Sequence, residues 1–155
     1  MRLLAWILAA QAALPVPFVS QPKDGCAAAA LAMVLRHWGH DADVDAIARE
    51  LKEPELRGIR GSRLTAFARD RGFSAVAYKG DLDQLRDYLG KGRPLIVAWG
   101  LEKGDHDVVV VGVEDDAILV HDPAVGASRR IAADEFERLW RKAGYWTLLV
   151  LPKAP

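Results

Sequence analysis

Segments with helical patterning fill most of the first half of this 155-residue chain, and segments with strand patterning dominate the second. That order predicts an α+β fold with an antiparallel sheet. Two stretches sharpen the expectation. From Cys26 to Trp38 the sequence is rich in Ala, Leu and Met, contains no Gly or Pro, and stops at Gly39. Such a segment is a helix apolar on most sides, and so a buried central one. Later, the apolar runs Val108–Val113 and Ala117–Val120 flank the acidic turn Glu114-Asp115-Asp116, as two strands of a hairpin do.

The other elements follow in chain order. Arg2, the apolar run Leu3–Ala10 and the Ala-x-Ala step at Ala10 and Ala12 have the pattern of a signal peptide. Residues 1–13 are therefore expected to be removed and residues 14–155 to form the domain. The run falls short of the roughly 18 to 20 apolar residues that span a bilayer. An exported protein, periplasmic or extracellular, is the corresponding expectation. Val16-Pro17-Phe18-Val19 is a short extended segment, because Pro17 bars a helix there. Asp24 is a candidate cap for the Cys26 helix.

Val44–Leu51 is amphipathic and predicts a second helix. A third runs from a Ser62 cap to Arg71 and ends at Gly72. Ala75–Tyr78 is a short strand. Asp81 opens a fourth helix through Leu82, Leu85 and Leu89, and Leu95–Trp99 is a strand. Asp134 begins a short helix carrying Phe136, Leu139 and Trp140, and Tyr145–Leu151 closes the sheet.

Composition narrows the function. The 21 Lys+Arg balance the 21 Asp+Glu, and there is no basic run, which argues against nucleic acid as the main partner. A hydrophobic share of 51% is that of an ordinary folded domain. One cysteine excludes an intrachain disulfide and Cys-rich zinc or iron–sulfur sites. Asp41, Asp43 and Asp45 with His37 and His40 form turn and capping material rather than a metal site. Arg57, Arg60 and Arg63 belong to a solvated loop, and Trp99 to the core.

Cys26 is thus either a small buried hydrophobe or a reactive thiol. It stands at the first turn of a helix, where unpaired N–H groups and the dipole favour an anion. A reactive thiol needs a base. His37 lies eleven residues along the same helix, about 16 Å away, and His40 lies at the same far end. His121 precedes Asp122 in a strand, and the two side chains alternate. His106 precedes the strand Val108–Val111. The hairpin turn sets paired positions adding to between about 228 and 231, so His106 comes near Asp122. An acid beside an imidazole fixes its tautomer and stabilises its charged form. The alternative is that both are polar residues at a hairpin end. Asp105 and Asp107, as strand neighbours of His106, point away from it.

Gln21-Pro22-Lys23-Asp24-Gly25-Cys26, followed by Leu31-Ala32-Met33-Val34-Leu35 and Trp38-Gly39, resembles the opening motif of the C39-type peptidases. These are papain-like cysteine peptidases, best known as the bacteriocin-processing domains of transporters. His106-Asp107-Val108-Val109-Val110-Val111-Gly112-Val113 is similar to their His motif, and Leu119-Val120-His121-Asp122-Pro123 to their Asp-Pro motif. The resemblance runs from about Val16 to Leu151. It implies a papain-like fold with the Cys-bearing helix packed on the sheet, and an endopeptidase acting through a thioester. It also implies the roles: Cys26 as nucleophile, His106 as general base and acid, Asp122 orienting His106, and Gln21 donating to the oxyanion. No cofactor or metal is implied. The partner is a peptide or protein substrate, with an exporter or a small precursor peptide as further partners.

The chain departs from the family in two ways. The family often has Asp-Cys-Gly where this chain has Gly25-Cys26-Ala27, and a methyl group there is expected to narrow the approach to the thiol. The chain also carries no membrane-spanning run and no phosphate-binding loop. Double-glycine leader specificity therefore does not follow from the resemblance. An amidase or acyltransferase acting on cell-wall amides, and a silent peptide-binding domain, remain as alternatives.

Overall fold

A computed structural model describes residues 13–154; the apolar run Leu3–Ala10 and the expected signal segment, apart from Ala13, lie outside the described residues. Five α-helices and six strands are arranged as α1 (Cys26–His37), α2 (Val44–Leu51), α3 (Gly61–Asp70), β1 (Phe73–Lys79), α4 (Leu82–Gly90), β2 (Leu95–Leu101), β3 (Gly104–Val113), β4 (Ala117–Asp122), β5 (Gly126–Ala132), α5 (Ala133–Lys142) and β6 (Trp146–Pro152). The strands form one sheet in the order β1-β6-β2-β3-β4-β5, with every pairing antiparallel. The predicted α+β class is the observed one. Strand β5 was absent from the sequence-based expectation, because Ser128, Arg129 and Arg130 give it no apolar run.

The sheet is covered on both faces. Ile96, Val109, Val111, Leu148 and Val150 pack with α1, α2 and α3. Their alternate neighbours Leu95, Val97, Trp99, Val108, Val110 and Leu149 pack with Leu85 and Leu89 of α4 and Phe136 and Trp140 of α5. The period of two along each strand therefore divides the apolar residues between two cores. Trp99 is buried in the second core, as expected.

Helix α1 is the most enclosed of the described helices, with every residue from Ala27 to Leu35 buried. Four consecutive alanines let its first turns approach the sheet closely. It ends where Gly39 takes a positive φ of 81°. Its start differs from expectation. The N-cap is Gly25, with no side-chain cap; Asp24 instead takes a left-handed φ of 53° in the preceding turn, which places its carboxylate away from the helix N–H groups. Likewise α3 starts at Gly61 with Arg60 as N-cap, so Ser62 is already inside the helix and caps nothing. Asp81 does cap α4, accepting from the Gln84 N–H at 2.9 Å.

The turn before α1 sets where Cys26 stands. The Gly25 N–H donates to the Pro22 carbonyl at 2.9 Å. A Cβ at position 25 would lie 2.6 Å from Pro22 Cγ and 3.0 Å from its carbonyl oxygen. Gly25→Ala is therefore expected to force the turn open. Urea unfolding should show a loss of roughly 1–3 kcal/mol, the usual cost of overpacking, while an exposed control such as Lys153→Ala should leave the midpoint unchanged.

Candidate active site

The β3–β4 hairpin brings the first acid–base pair together. Val109 faces His121 and Val113 faces Ile118, within the predicted pairing window, with an irregularity between Val110 and Gly112. Continued to the open end, this register sets His106 diagonal to Asp122 on one face of the sheet. Their side chains meet at 2.7 Å, between His106 Nε2 and Asp122 Oδ1. Asp122 is 3% exposed and saturated with donors. Its Oδ1 also accepts from the Ala124 N–H at 3.0 Å, and its Oδ2 accepts from Arg129 Nη1 at 2.9 Å.

Cys26 and His106 line one open cleft, together with Gln21, Ala98, Asp107 and Trp146. With Nε2 held by Asp122, Nδ1 is the ring nitrogen left for the thiol. Burial opposes a charge on His106, but hydrogen bonds to Asp122 and Cys26 and the negative charge of both outweigh it, and hold the imidazole up at about 10. For Asp122, burial works against ionisation, yet the bonds from His106 and Ala124 and the charge of Arg129 keep its carboxyl below the usual range.

Gln21 lies at the cleft, five residues before the thiol. Its N–H donates to the Pro123 carbonyl at 2.9 Å, which ties its loop to the corner after Asp122. Its side-chain Oε1 is buried without a hydrogen-bond partner. All four residues singled out in the sequence, Cys26, His106, Asp122 and Gln21, are thus placed at or against this cleft. Ala27 is 3% exposed and does not line it, so the methyl group expected to narrow the approach is turned into the core.

The other histidines are placed elsewhere. His37 Nε2 lies 3.0 Å from the Gly92 carbonyl, and His40 packs edge-on against Phe73. His121 is 4% exposed. Its Nδ1 accepts from the Ser128 N–H at 3.0 Å, so Nε2 is the protonated nitrogen and donates to the Val16 carbonyl at 2.8 Å. The basic loop, read from the sequence as solvated, borders the cleft. Arg57 and Arg60 line its rim, and Arg60 is paired with Glu53 at 3.2 Å. Arg63 instead belongs to α3 and donates to the Leu51 carbonyl at 3.0 Å.

Two residues at the site escaped the sequence reading. Arg129 comes from the unrecognised strand β5, and only the Asp122-Pro123 turn followed by Gly126 hinted at a returning strand. Asp107 was set aside as pointing away from His106. It does take the opposite parity, shared with Val109 and Val111, but that parity faces α1 and sets its Oδ2 4.0 Å from Cys26 Sγ. Burial pushes the Asp107 carboxyl up to about 7; His106 pulls it down and Asp105 pushes it further up, each by less.

An α+β domain with a buried helix starting at a cysteine, packed on an antiparallel sheet that presents a His–Asp pair, is the architecture of papain-like cysteine peptidases. Residues 16–153 match the model of the Peptidase C39 family, and the chain belongs to that family of cysteine peptidases. Over 121 residues it is 31% identical to the lactococcin-G-processing and transport ATP-binding protein LagD of Lactococcus lactis subsp. lactis. That alignment covers 77% of this chain but 17% of LagD. In fold it is similar to a double glycine motif protease from an AMS/PCAT transporter, solved with its leader peptide, with a TM-score of 0.76 and 24% identity over 92% of this chain and 96% of that one. It is also similar to the peptidase domain of Streptococcus ComA, a bi-functional ABC transporter, with a TM-score of 0.73 and 24% identity over 87% and 97% of the two chains. Among the described residues, no helix is long and apolar enough to cross a membrane.

The pair His106–Asp122 carries a pH signature. A histidine raised in the folded state adds stability that is complete below about 6.5 and is lost as pH rises through about 10. A depressed aspartate adds stability that is complete above its ordinary value near 3.8 and is lost as pH falls through its lower folded value. The stability gap between the wild-type protein and Asp122→Asn should therefore be widest between about pH 4 and 6.5 and shrink in both directions. Urea midpoints taken from pH 3 to 10 test this; a gap that does not vary with pH would refute the pairing.

Proposed function

We propose that this chain is a thiol endopeptidase that cleaves a peptide bond through a thioester intermediate, with Cys26 as nucleophile. The observation that carries this reading is the shared cleft: one nitrogen of His106 is fixed on Asp122 at 2.7 Å, and the Cys26 thiol at the start of α1 lines the same cleft as that imidazole. A base oriented by a third group, and in reach of a thiol, is what nucleophilic catalysis requires.

His106 takes the thiol proton, and Asp122 stabilises the imidazolium that forms. The Cys26 sulfur attacks the substrate carbonyl carbon, and the carbonyl electrons move onto oxygen. The oxyanion is met by the Cys26 N–H, which has no partner within its own helix, and by a side-chain N–H of Gln21. The oxyanion then re-forms the carbonyl and the carbon–nitrogen bond breaks, while the imidazolium gives its proton to the leaving amine. Neutral His106 next takes a proton from water, and the hydroxide adds to the thioester. Collapse of that second intermediate releases the carboxylic acid and restores the thiol pair. Arg129 acts through Asp122, pinning the oxygen that His106 does not use.

The relatives suggest the substrate class. LagD is a lactococcin-G-processing protein, and the AMS/PCAT protease was solved with a leader peptide. We propose a peptide or small precursor protein as substrate here, with an exporter as a further partner, and export of this chain by residues 1–13. Fractionation of cells making the full chain tests the last point; retention in the cytoplasm would count against it.

The mechanism itself is tested by labelling. Iodoacetamide should alkylate Cys26 faster than free cysteine at pH 7, and Cys26→Ala should abolish both labelling and peptide cleavage. Gln21→Ala should lower turnover by roughly 10²- to 10³-fold, the usual worth of one oxyanion donor, while leaving alkylation by iodoacetamide intact. Equal turnover in that variant would remove Gln21 from the mechanism.

A further inference from the structure

Two buried or half-buried acids stand at the cleft, and they are treated differently. Asp122 has three donors, one of them the cation Arg129. Asp107 has one weak donor and no cation: the Cys26 thiol donates to its Oδ2 at 4.0 Å, and among the described residues no Lys, Arg or His forms an ion pair with it. Arg60, a nearby rim cation, is committed to Glu53. A carboxylate with only a long thiol donor in a partly dry site is costly, and placing one against a sulfur that must become negative adds repulsion. An incoming cation relieves both costs at once.

The nearness of the sulfur bears on which side of the substrate this acid meets. His106 delivers a proton to the leaving amine, so the imidazole marks the leaving-group side of the scissile bond. Asp107 projects with the opposite parity, onto the α1 face. Its oxygen lies near the sulfur that becomes bonded to the acyl carbon. A carboxylate that lines the cleft 4.0 Å from that sulfur is placed to meet a residue next to the acyl carbon.

We infer that Asp107 is a specificity-determining residue whose carboxylate accepts a hydrogen bond from a cationic group carried within two residues of the scissile bond, on its acyl side. The inference rests on the peptidase reading above and names a substrate class for it. Burial, which pushes the Asp107 carboxyl up to about 7, makes the preference pH-dependent. The acid is charged above that value and neutral below it, so selection of a cation strengthens as pH rises. Several other charged groups bear on the same region: Asp24 before α1, Asp105 and His106 on β3, Lys103 in the β2–β3 turn, and Arg57 and Arg60 at the rim. The effect of Asp107 must therefore be isolated by substitution.

The test uses benzyloxycarbonyl dipeptidyl chloromethyl ketones, in which the Cys26 sulfur displaces chloride and the adduct is counted by mass spectrometry. One set varies the residue next to the ketone and the other the residue before it, each with Lys, norleucine or Glu, and with Gly at the other position. In at least one set, the Lys probe should label at least about 10-fold faster than norleucine at pH 8, with Glu slowest, in line with a charge-assisted hydrogen bond. That ratio should fall as pH drops through about 7. In Asp107→Asn and Asp107→Ser it should approach one and lose its pH dependence. A ratio within one variant does not depend on how much of it is folded. Equal rates across charge in both sets, or an unchanged ratio in both variants, would overturn the inference and leave the peptidase reading intact. Failure of every peptidyl probe where iodoacetamide still labels Cys26 would instead overturn the peptidase reading, and the inference with it.

Discussion

The enclosure of α1 is the constraint on which the site depends. Nine successive residues behind Cys26 are buried between the sheet and the flanking helices. The helix cannot slide or roll without breaking many close contacts, because a packed interior tolerates displacement poorly. Its one reactive group sits at the end that reaches the cleft. The position of the sulfur is thus set by the core, and the loop before it, closed by the Gly25 N–H on the Pro22 carbonyl, has only to keep the way clear. Flexible attachment of the nucleophile would cost the alignment that makes intramolecular attack fast.

The second half of the site is held by a different device. His106 and Asp122 come from two strands whose register is fixed by a short acidic turn and a run of valines. A slip of one residue would turn every valine out of its core and part the two side chains. That is why the hairpin was legible in the sequence: turn length, apolar run and the spacing of His and Asp all point to one pairing. The central helix was legible for a similar reason, since unbroken alanine and leucine between a turn and a glycine leave little choice.

What the sequence hid was contact made by tertiary placement. The partner of Asp122 on its far oxygen is Arg129, in an edge strand with Ser128, Arg129 and Arg130 at its centre and so no periodic apolar signal. Asp107 was judged by the face of its strand, and correctly set apart from His106. Where that other face leads depends on which helix packs there, and no local pattern reports it. The caps expected from Asp24 and Ser62 failed because close approach decided the local backbone. Gly61, for one, stands where a Cβ would come 2.6 Å from the Trp146 ring, and α3 starts there with its N-cap at Arg60, two residues before the expected Ser62.

His121 ties two of these parts together. One ring nitrogen takes the N–H of Ser128 in β5, and the other donates to the carbonyl of Val16 in the segment that leads to Gln21. A few residues on, Gln21 itself is bonded to Pro123. The arm carrying the amide is therefore clipped to the strand carrying the acid at two points, one on either side of Phe18. Leu14 adds a third clip upstream, through its N–H to the Val111 carbonyl. This arrangement marks a frontier for trimming of the chain. Removal of residues on the N-terminal side of Leu14 leaves all three clips in place. A cut after Val16 removes two of the three hydrogen bonds and leaves the arm to the Pro123 bond and the packing of Phe18 and Val19.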